Sequence, residues 1–204
     1  MPEIFLDLDD TLINTTPTII KRLEILLKKY PVDEGLFYVH NLLVHPQREL
    51  ILSNRYDFSK EFWREYEVLR AQIEPRSIGD IKGKLNSFRD HFKLGILSSS
   101  LRQKIERSLA NIGLNERYFE SGLYCRDNLT HPKPDVRCLE EIGSDRSIVY
   151  VGDDIQDYLF SKKAGIGFVA VCTGLTSRDT FLYLGQDESK IFPSIQEVTL
   201  DAVL

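Results

Sequence analysis

Short apolar runs that end abruptly in polar clusters alternate with stretches of helical periodicity along most of this chain. Ile4, Phe5 and Leu6 form the first run, and Leu8 carries the apolar pattern on between Asp7 and Asp9. The sequence IFLDLDDTL therefore predicts a buried strand that gives out in three carboxylates and a threonine. Asn14, Thr15, Thr16 and Pro17 then signal a helix start. A helix over 18–30 follows, with Ile19, Ile20, Leu23, Leu26 and Leu27 on one face, and Pro31 stops it.

Residues 32–75 change character. They hold Tyr38, His40, His45, Tyr56, Phe58, Trp63 and Tyr66 with no alternation, and a helix over 59–73 that spaces Phe62, Tyr66, Leu69 and Ile73 on one stripe. This predicts a small helical insertion whose aromatic stripe forms its own core. Beyond Pro75 the alternation is regular. Helices are predicted over 81–91, 101–112, 136–142 and 177–184, with strands over 93–97, within 118–124, over 147–151 and 168–172, and at an edge near 190–192. Strands and helices in turn argue for a parallel sheet covered by helices.

Composition narrows the class of partner. The 204 residues suit one α/β domain with a modest insertion, and the 26 Lys and Arg against 31 Asp and Glu leave a net charge of -5. An acidic chain without long basic runs is a poor nucleic-acid or membrane-surface binder. Cys125, Cys138 and Cys172 are odd in number and lack CxxC spacing, which predicts incidental thiols in a reducing compartment. No apolar stretch approaches the roughly 18 residues of a membrane span, and acids close to the first strand would spoil a signal peptide. A cytoplasmic location is the expectation.

Candidate chemistry gathers where the strands stop. Asp7 and Asp9 end the first, Ser98 follows KLGIL, and Gly152, Asp153, Asp154 and Asp157 follow SIVYV, while Lys133 lies in the proline-framed loop HPKPD. Each has a plain structural role: Ser98 can end a strand or cap the next helix, Asp153 and Asp154 can cap theirs, and a loop lysine is ordinarily solvated. Together, at adjacent ends of parallel strands, they suit phosphoryl transfer. That chemistry needs a carboxylate nucleophile, a second carboxylate to exchange a proton, acids to hold a cation, and donors for phosphate oxygens.

In these residues the chain resembles the haloacid dehalogenase-like hydrolases, over nearly its whole length. Asp7, Leu8, Asp9, Asp10 and Thr11 match the family's DxDxT, Ser98 its strand-end Ser or Thr, Lys133 its lysine, and Gly152 to Asp157 its GDxxxD. The resemblance implies a Rossmann-like core over 1–13 and 77–204 and a small α-helical cap domain over 14–76, like that of phosphoglycolate phosphatase-like members. It implies that Asp7 attacks phosphorus to form an aspartyl-phosphate and that Asp9 exchanges the proton. Mg2+ would then lie on the Asp7 carboxylate, the Asp9 carbonyl and Asp153, with Asp154 or Asp157 holding its waters and Lys133. Ser98 and the Ser99 backbone N–H would bind phosphate oxygens.

Two phases of the lysine motif are open, KPD at Lys133 and KPxP with His131 in the lysine's place, and Lys133 is preferred because a permanent ammonium suits a dianionic phosphate. Dehalogenases of the family lack the second acid, so Asp9 argues for phosphoryl chemistry. A Mg2+-dependent phosphatase acting on a small phosphorylated metabolite, phosphoglycolate-like or a sugar phosphate, is the leading expectation. A phosphomutase and a non-catalytic phosphate- or partner-binding module are the competitors. Arg48, Arg55, Arg64, His40, His45 and Tyr56 are candidates for substrate selection without a spacing that singles one out.

Overall fold

The computed structural model describes residues 1–30, 60–143 and 148–203. Residues Tyr38, His40, His45, Arg48, Arg55, Tyr56 and Phe58 lie outside the described residues. The chain divides into two compact units, Met1–Asn14 with Arg76–Leu204, and Thr15–Pro75.

The larger unit is built on a six-stranded parallel sheet: β1 (Glu3–Leu6), β2 (Lys93–Leu97), β3 (Gly122–Tyr124), β4 (Ile148–Gly152), β5 (Gly167–Val171) and β6 (Ile191–Phe192), in the order β3-β2-β1-β4-β5-β6. It is the parallel α/β arrangement expected from the alternation and the Rossmann-like core that the resemblance implies. Because β1 is buried on both faces, Ile4, Phe5 and Leu6 are all core residues, which explains an unbroken apolar run in place of an alternating one. Ile4 and Leu6 join Leu94, Ile96 and Val151 in one apolar cluster, while Phe5 joins Tyr150, Phe160 and Phe168 in the cluster on the other face.

Register decides where the chemistry lies. Leu6 stands opposite Ile96 on one side and Val151 on the other. The residues that follow in each strand therefore come out nearly level, and the order reverses at β1, the kind of switch point at which α/β sheets leave a crevice. The Asp7 N–H still donates to the Val151 carbonyl at 2.9 Å, and the Ser98 N–H to Tyr124 at 3.0 Å, so both side chains are anchored by ladder-like bonds just past the strand ends.

Helices of this unit are α3 (Ile81–Arg89), α4 (Arg102–Asn111), α5 (Cys138–Glu141), α6 (Ile155–Ala164), α7 (Arg178–Tyr183) and α8 (Leu200–Val203). The predicted helix over 136–142 shrinks to the four residues of α5, and the strand sought within 118–124 occupies only its last three residues, after a 3-10 turn at Glu116–Tyr118. The α8 segment was not anticipated; its Ala202 and Val203 are buried in the main core, but four residues carry no readable periodicity.

The second unit contains α1 (Thr15–Lys29) and α2 (Lys60–Gln72). The α1 helix starts three residues before the predicted position, with Pro17 in its first turn, where a missing N–H costs nothing. Leu23, Leu26 and Leu27 pack against Phe62 and Tyr66, so the described part of the aromatic stripe is a core, held further by Arg22 donating to the Ile73 carbonyl.

Close packing between β1 and β2 leaves no room at Gly95, where a Cβ would sit 2.3 Å from the Phe5 ring. Gly95→Ala is expected to cost about 1–3 kcal/mol through this overpacking, and to lower the thermal midpoint by several degrees. A calorimetric scan checks it; an unchanged midpoint would mean that Phe5 can swing away.

Candidate active site

At the end of β1 the chain makes a tight loop in which the Thr11, Leu12 and Ile13 N–H groups all point to the Leu8 carbonyl. Asp10 takes the left-handed conformation at φ 55, which aspartate tolerates better than most residues, and its carbonyl accepts from the Thr173 hydroxyl. The loop sends the two neighbouring acids in different directions. Asp7 is turned into the interior, whereas the Asp9 side chain keeps 24% of its exposure.

Lys133 meets Asp7 from the other side. Its ammonium lies 3.0 Å from Asp7 Oδ1 and 2.7 Å from Asp157 Oδ1, and it also donates to the Tyr150 hydroxyl. That hydroxyl donates in turn to the Leu97 carbonyl at 2.7 Å, tying the end of β2 to the lysine. All four side chains, Asp7, Lys133, Tyr150 and Asp157, are buried. Of the two candidates for the lysine motif, Lys133 faces Asp7, and His131 pairs with Glu141 at 2.5 Å.

Asp153 follows β4 and is buried beside the same group, with Thr11 Oγ1 donating to it at 3.3 Å. Asp154 has the plainer role open to it, as N-cap of α6: it accepts from Gln156 N, and Asp157 Oδ2 reaches back to the Asp154 N–H at 3.3 Å, completing a capping box. Asp157 therefore does two things with its two oxygens, fastening the helix start with one and the lysine with the other. Ser98 is buried at the end of β2 and its Oγ accepts from the Ser100 N–H at 3.3 Å. Ser99 is exposed and donates to the Lys133 carbonyl at 3.4 Å.

The charge balance is unfavourable as it stands. One ligand oxygen from each of Asp7, Asp153 and Asp157 falls within 4.8 Å of the others, and Lys133 is the ammonium that touches this group. Burial, with the neighbouring charges of Asp157 and Asp9, pushes Asp7 up to about 6 against the partial relief given by Lys133. Burial and the surrounding carboxylates, Asp157 and Asp7 foremost, push Asp153 well above the ordinary range. Lys133 is held above its ordinary value, since Asp157 and Asp7 outweigh the burial that opposes its charge. Hard carboxylate oxygens, buried and mutually repelling, fit a divalent cation such as Mg2+. The carboxylate cluster holds Asp7 and Asp153 of the expected metal set together with Asp157, and the Asp9 carboxylate, whose carbonyl and not its side chain was the expected ligand, faces Ser100 and Lys104.

Four contributors had not been singled out. Tyr150 read as one more apolar strand residue, although a fully buried phenol must find a partner. Gly174 follows the last long strand without a motif to mark it, yet a Cβ there would sit 1.8 Å from Asp153 Oδ2, so only glycine lets β5's loop pass the acid. Ser100 closed a serine run, and Lys104 lies on α4 with no motif spacing to mark it; both donate to Asp9.

A parallel Rossmann-like sheet with acids, a serine and a lysine gathered at the carboxyl ends of its strands defines an α/β scaffold with a polar site at the switch point of the sheet. The family model for haloacid dehalogenase-like hydrolases matches residues 4–171, and the chain belongs to that family, the one its four motifs resemble. It is an enzyme of the hydrolase class. It is similar to the pyrophosphatase PpaX of Listeria monocytogenes serotype 4a, at 25% identity over 173 residues, covering 79% of this chain and 78% of that one. Among solved structures it is similar to a provisionally named beta-phosphoglucomutase from Thermotoga maritima, with TM-score 0.76, 18% identity, and 97% and 96% of the two chains covered. It is also similar to CbbY from Rhodobacter sphaeroides in complex with phosphate, with TM-score 0.69, 17% identity, and 100% and 99% covered. At these identities the two structures speak for the fold alone.

The raised Asp7 and Asp153 carboxyls have a consequence for stability. A carboxyl that binds its proton more tightly when folded stabilises the fold below its unfolded value of 3.8, and that contribution is lost as pH rises toward 6. For Asp7 alone the loss is on the order of 3 kcal/mol in the metal-free protein. Added Mg2+ is therefore expected to raise the melting temperature far more at about pH 7.5 than at about pH 5, checked by melting with Mg2+ and with chelator across that range; equal shifts at both would speak against a cation at these carboxylates.

Proposed function

We propose that the protein is a Mg2+-dependent phosphatase that hydrolyses a small phosphomonoester through an aspartyl-phosphate on Asp7. The observation that carries this reading is the buried Lys133 ammonium held between Asp7 and Asp157, with Asp153 alongside and Ser98 at the neighbouring strand end. An ionised carboxylate fixed at a strand end beside a cation is a competent nucleophile, and two residues on stands a second carboxylate in a wetter setting.

In this reading Lys133 orients Asp7 Oδ1 and opposes its charge, so that attack proceeds from the other oxygen. Asp157 keeps Lys133 in place, and Tyr150 limits its swing by fixing it to β2. Ser98 Oγ and the Ser99 N–H donate to phosphate oxygens, replacing water around the charge that spreads over them. Asp9 gives a proton to the departing oxygen and later takes one from the attacking water. Mg2+, on Asp7, Asp153 and the Asp9 carbonyl, would neutralise phosphate charge. Asp154 serves by capping α6, which fixes Asp157. The unit Thr15–Pro75 is the helical cap domain.

The substrate candidates are phosphoglycolate-like and sugar phosphates, to which the name of the Listeria relative adds a pyrophosphate. Hydrolysis of para-nitrophenyl phosphate near neutral pH is expected to require Mg2+, to stop with chelator, and to fall by roughly 1,000-fold or more in Asp7→Asn. Turnover that survives Asp7→Asn, or that ignores the metal, would overturn the reading.

A further inference from the structure

Asp9 is held by two groups that none of the four motifs contains. Ser100 Oγ donates to Asp9 Oδ2 at 2.7 Å and Lys104 Nζ donates to the same oxygen at 2.6 Å, while Lys104 also reaches Ser100 Oγ at 3.1 Å. The three atoms form a closed triangle, with the lysine side chain 34% exposed and the carboxylate 24% exposed. The Ser100 N–H in turn bonds Ser98 Oγ, so the clamp is continuous with the serine at the end of β2.

We propose that Lys104 and Ser100 are positioning residues for proton transfer by Asp9, and that they divide its two oxygens by task. The inference rests on the phosphatase reading above. An ammonium has only donors, and a serine hydroxyl that accepts from Lys104 has its one hydrogen left for Asp9. Oδ2 thus receives two donors and is no place for a proton. The proton that Asp9 exchanges belongs on Oδ1, whose direction is fixed because its partner oxygen is pinned.

The steps balance with no further reactant. An Asp7 oxygen bonds to phosphorus, the bond from phosphorus to the leaving oxygen breaks, and that oxygen keeps the electron pair and takes the proton from Asp9 Oδ1. A water oxygen then bonds to phosphorus, its proton passes to Oδ1, and the bond to Asp7 breaks, restoring the carboxylate. Throughout, Oδ2 stays with Lys104 and Ser100. The ammonium beside Asp9 also offsets negative charge on the leaving oxygen before the proton arrives.

A positioning role for a proton donor has a signature that a structural role lacks: its loss hurts poor leaving groups and spares good ones. The test is kcat/KM, which extends to departure of the leaving group, for a series of aryl phosphates running from 2,4-dinitrophenyl to phenyl phosphate, with Mg2+. The native enzyme is compared with Lys104→Met and Ser100→Ala, each checked for folding by its melting curve. Both variants are expected to lose at least about 10-fold on phenyl phosphate, a part of the usual benefit of general acid catalysis, and less than about 2-fold on the dinitrophenyl ester. Ser100→Ala stands alone if Lys104→Met does not fold. A uniform loss along the series, or no loss, overturns the inference while the native activity still upholds the phosphatase reading. A native enzyme that cleaves none of the esters overturns both.

Discussion

One buried ammonium set against three buried carboxylates is the constraint on which the rest of the core depends. Lys133 is reached by Asp7 from β1, Asp157 from α6 and the Tyr150 hydroxyl from β4, and Tyr150 ties it on to the β2 carbonyl of Leu97. Removing Lys133 would leave Asp7 and Asp157 buried without the ammonium they share, a loss of about 3–5 kcal/mol for buried pairs. The same residues hold three strands in register at their carboxyl ends. Protons held on the raised Asp7 and Asp153 carboxyls offset part of this excess of negative charge, and the carboxylate set would fit a divalent cation.

The surroundings are built to tolerate that density of charge at close quarters. Gly152 and Gly174 each stand where a Cβ would strike a carboxylate, at 2.3 Å from Asp157 and 1.8 Å from Asp153. The capping box makes the α6 N-terminus part of the site: its first N–H groups and dipole favour the acids in its first turn. The loop closed by the Thr11, Leu12 and Ile13 N–H groups on the Leu8 carbonyl follows directly on β1, and Asp9 still lies near enough to Asp7 for its charge to raise that carboxyl.

Much of this was legible because it rests on local signals. Strand ends announce themselves where an apolar run meets acids or serines, as at Leu6 and Leu97, and a parallel sheet follows from strand–helix alternation, whereas the strand order does not. What was not legible depends on packing in three dimensions. The sequence could not choose between His131 and Lys133 on spacing alone; the choice is made by which side chain can reach Asp7, and Glu141 takes up the other. Tyr150 hid in an apolar run because its ring belongs to the core and only its oxygen to the site. Lys104 hid because a helix places it beside Asp9 from 95 positions away, a distance in sequence that no motif spans. Elements of four residues or fewer, such as α5 and α8, are set by tertiary contacts and leave too little pattern to read.

In the proposed reaction the pair Asp7 and Asp9 illustrates how environment, and not residue type, would divide the roles. Both are aspartates on one loop. Asp7 is enclosed, its charge opposed by Lys133 in a fixed geometry, so it can be ionised without being free to move, which suits a group that must meet phosphorus along one line. Asp9 is half open, and its fixed contacts through Oδ2 lie with a serine and a lysine of the β2–α4 connection. A nucleophile needs its charge kept, while a proton carrier needs one oxygen steady and the other available to exchange. In the proposed reaction the two carboxylates, each with its own hydrogen-bond partners, would let a single short loop supply both groups.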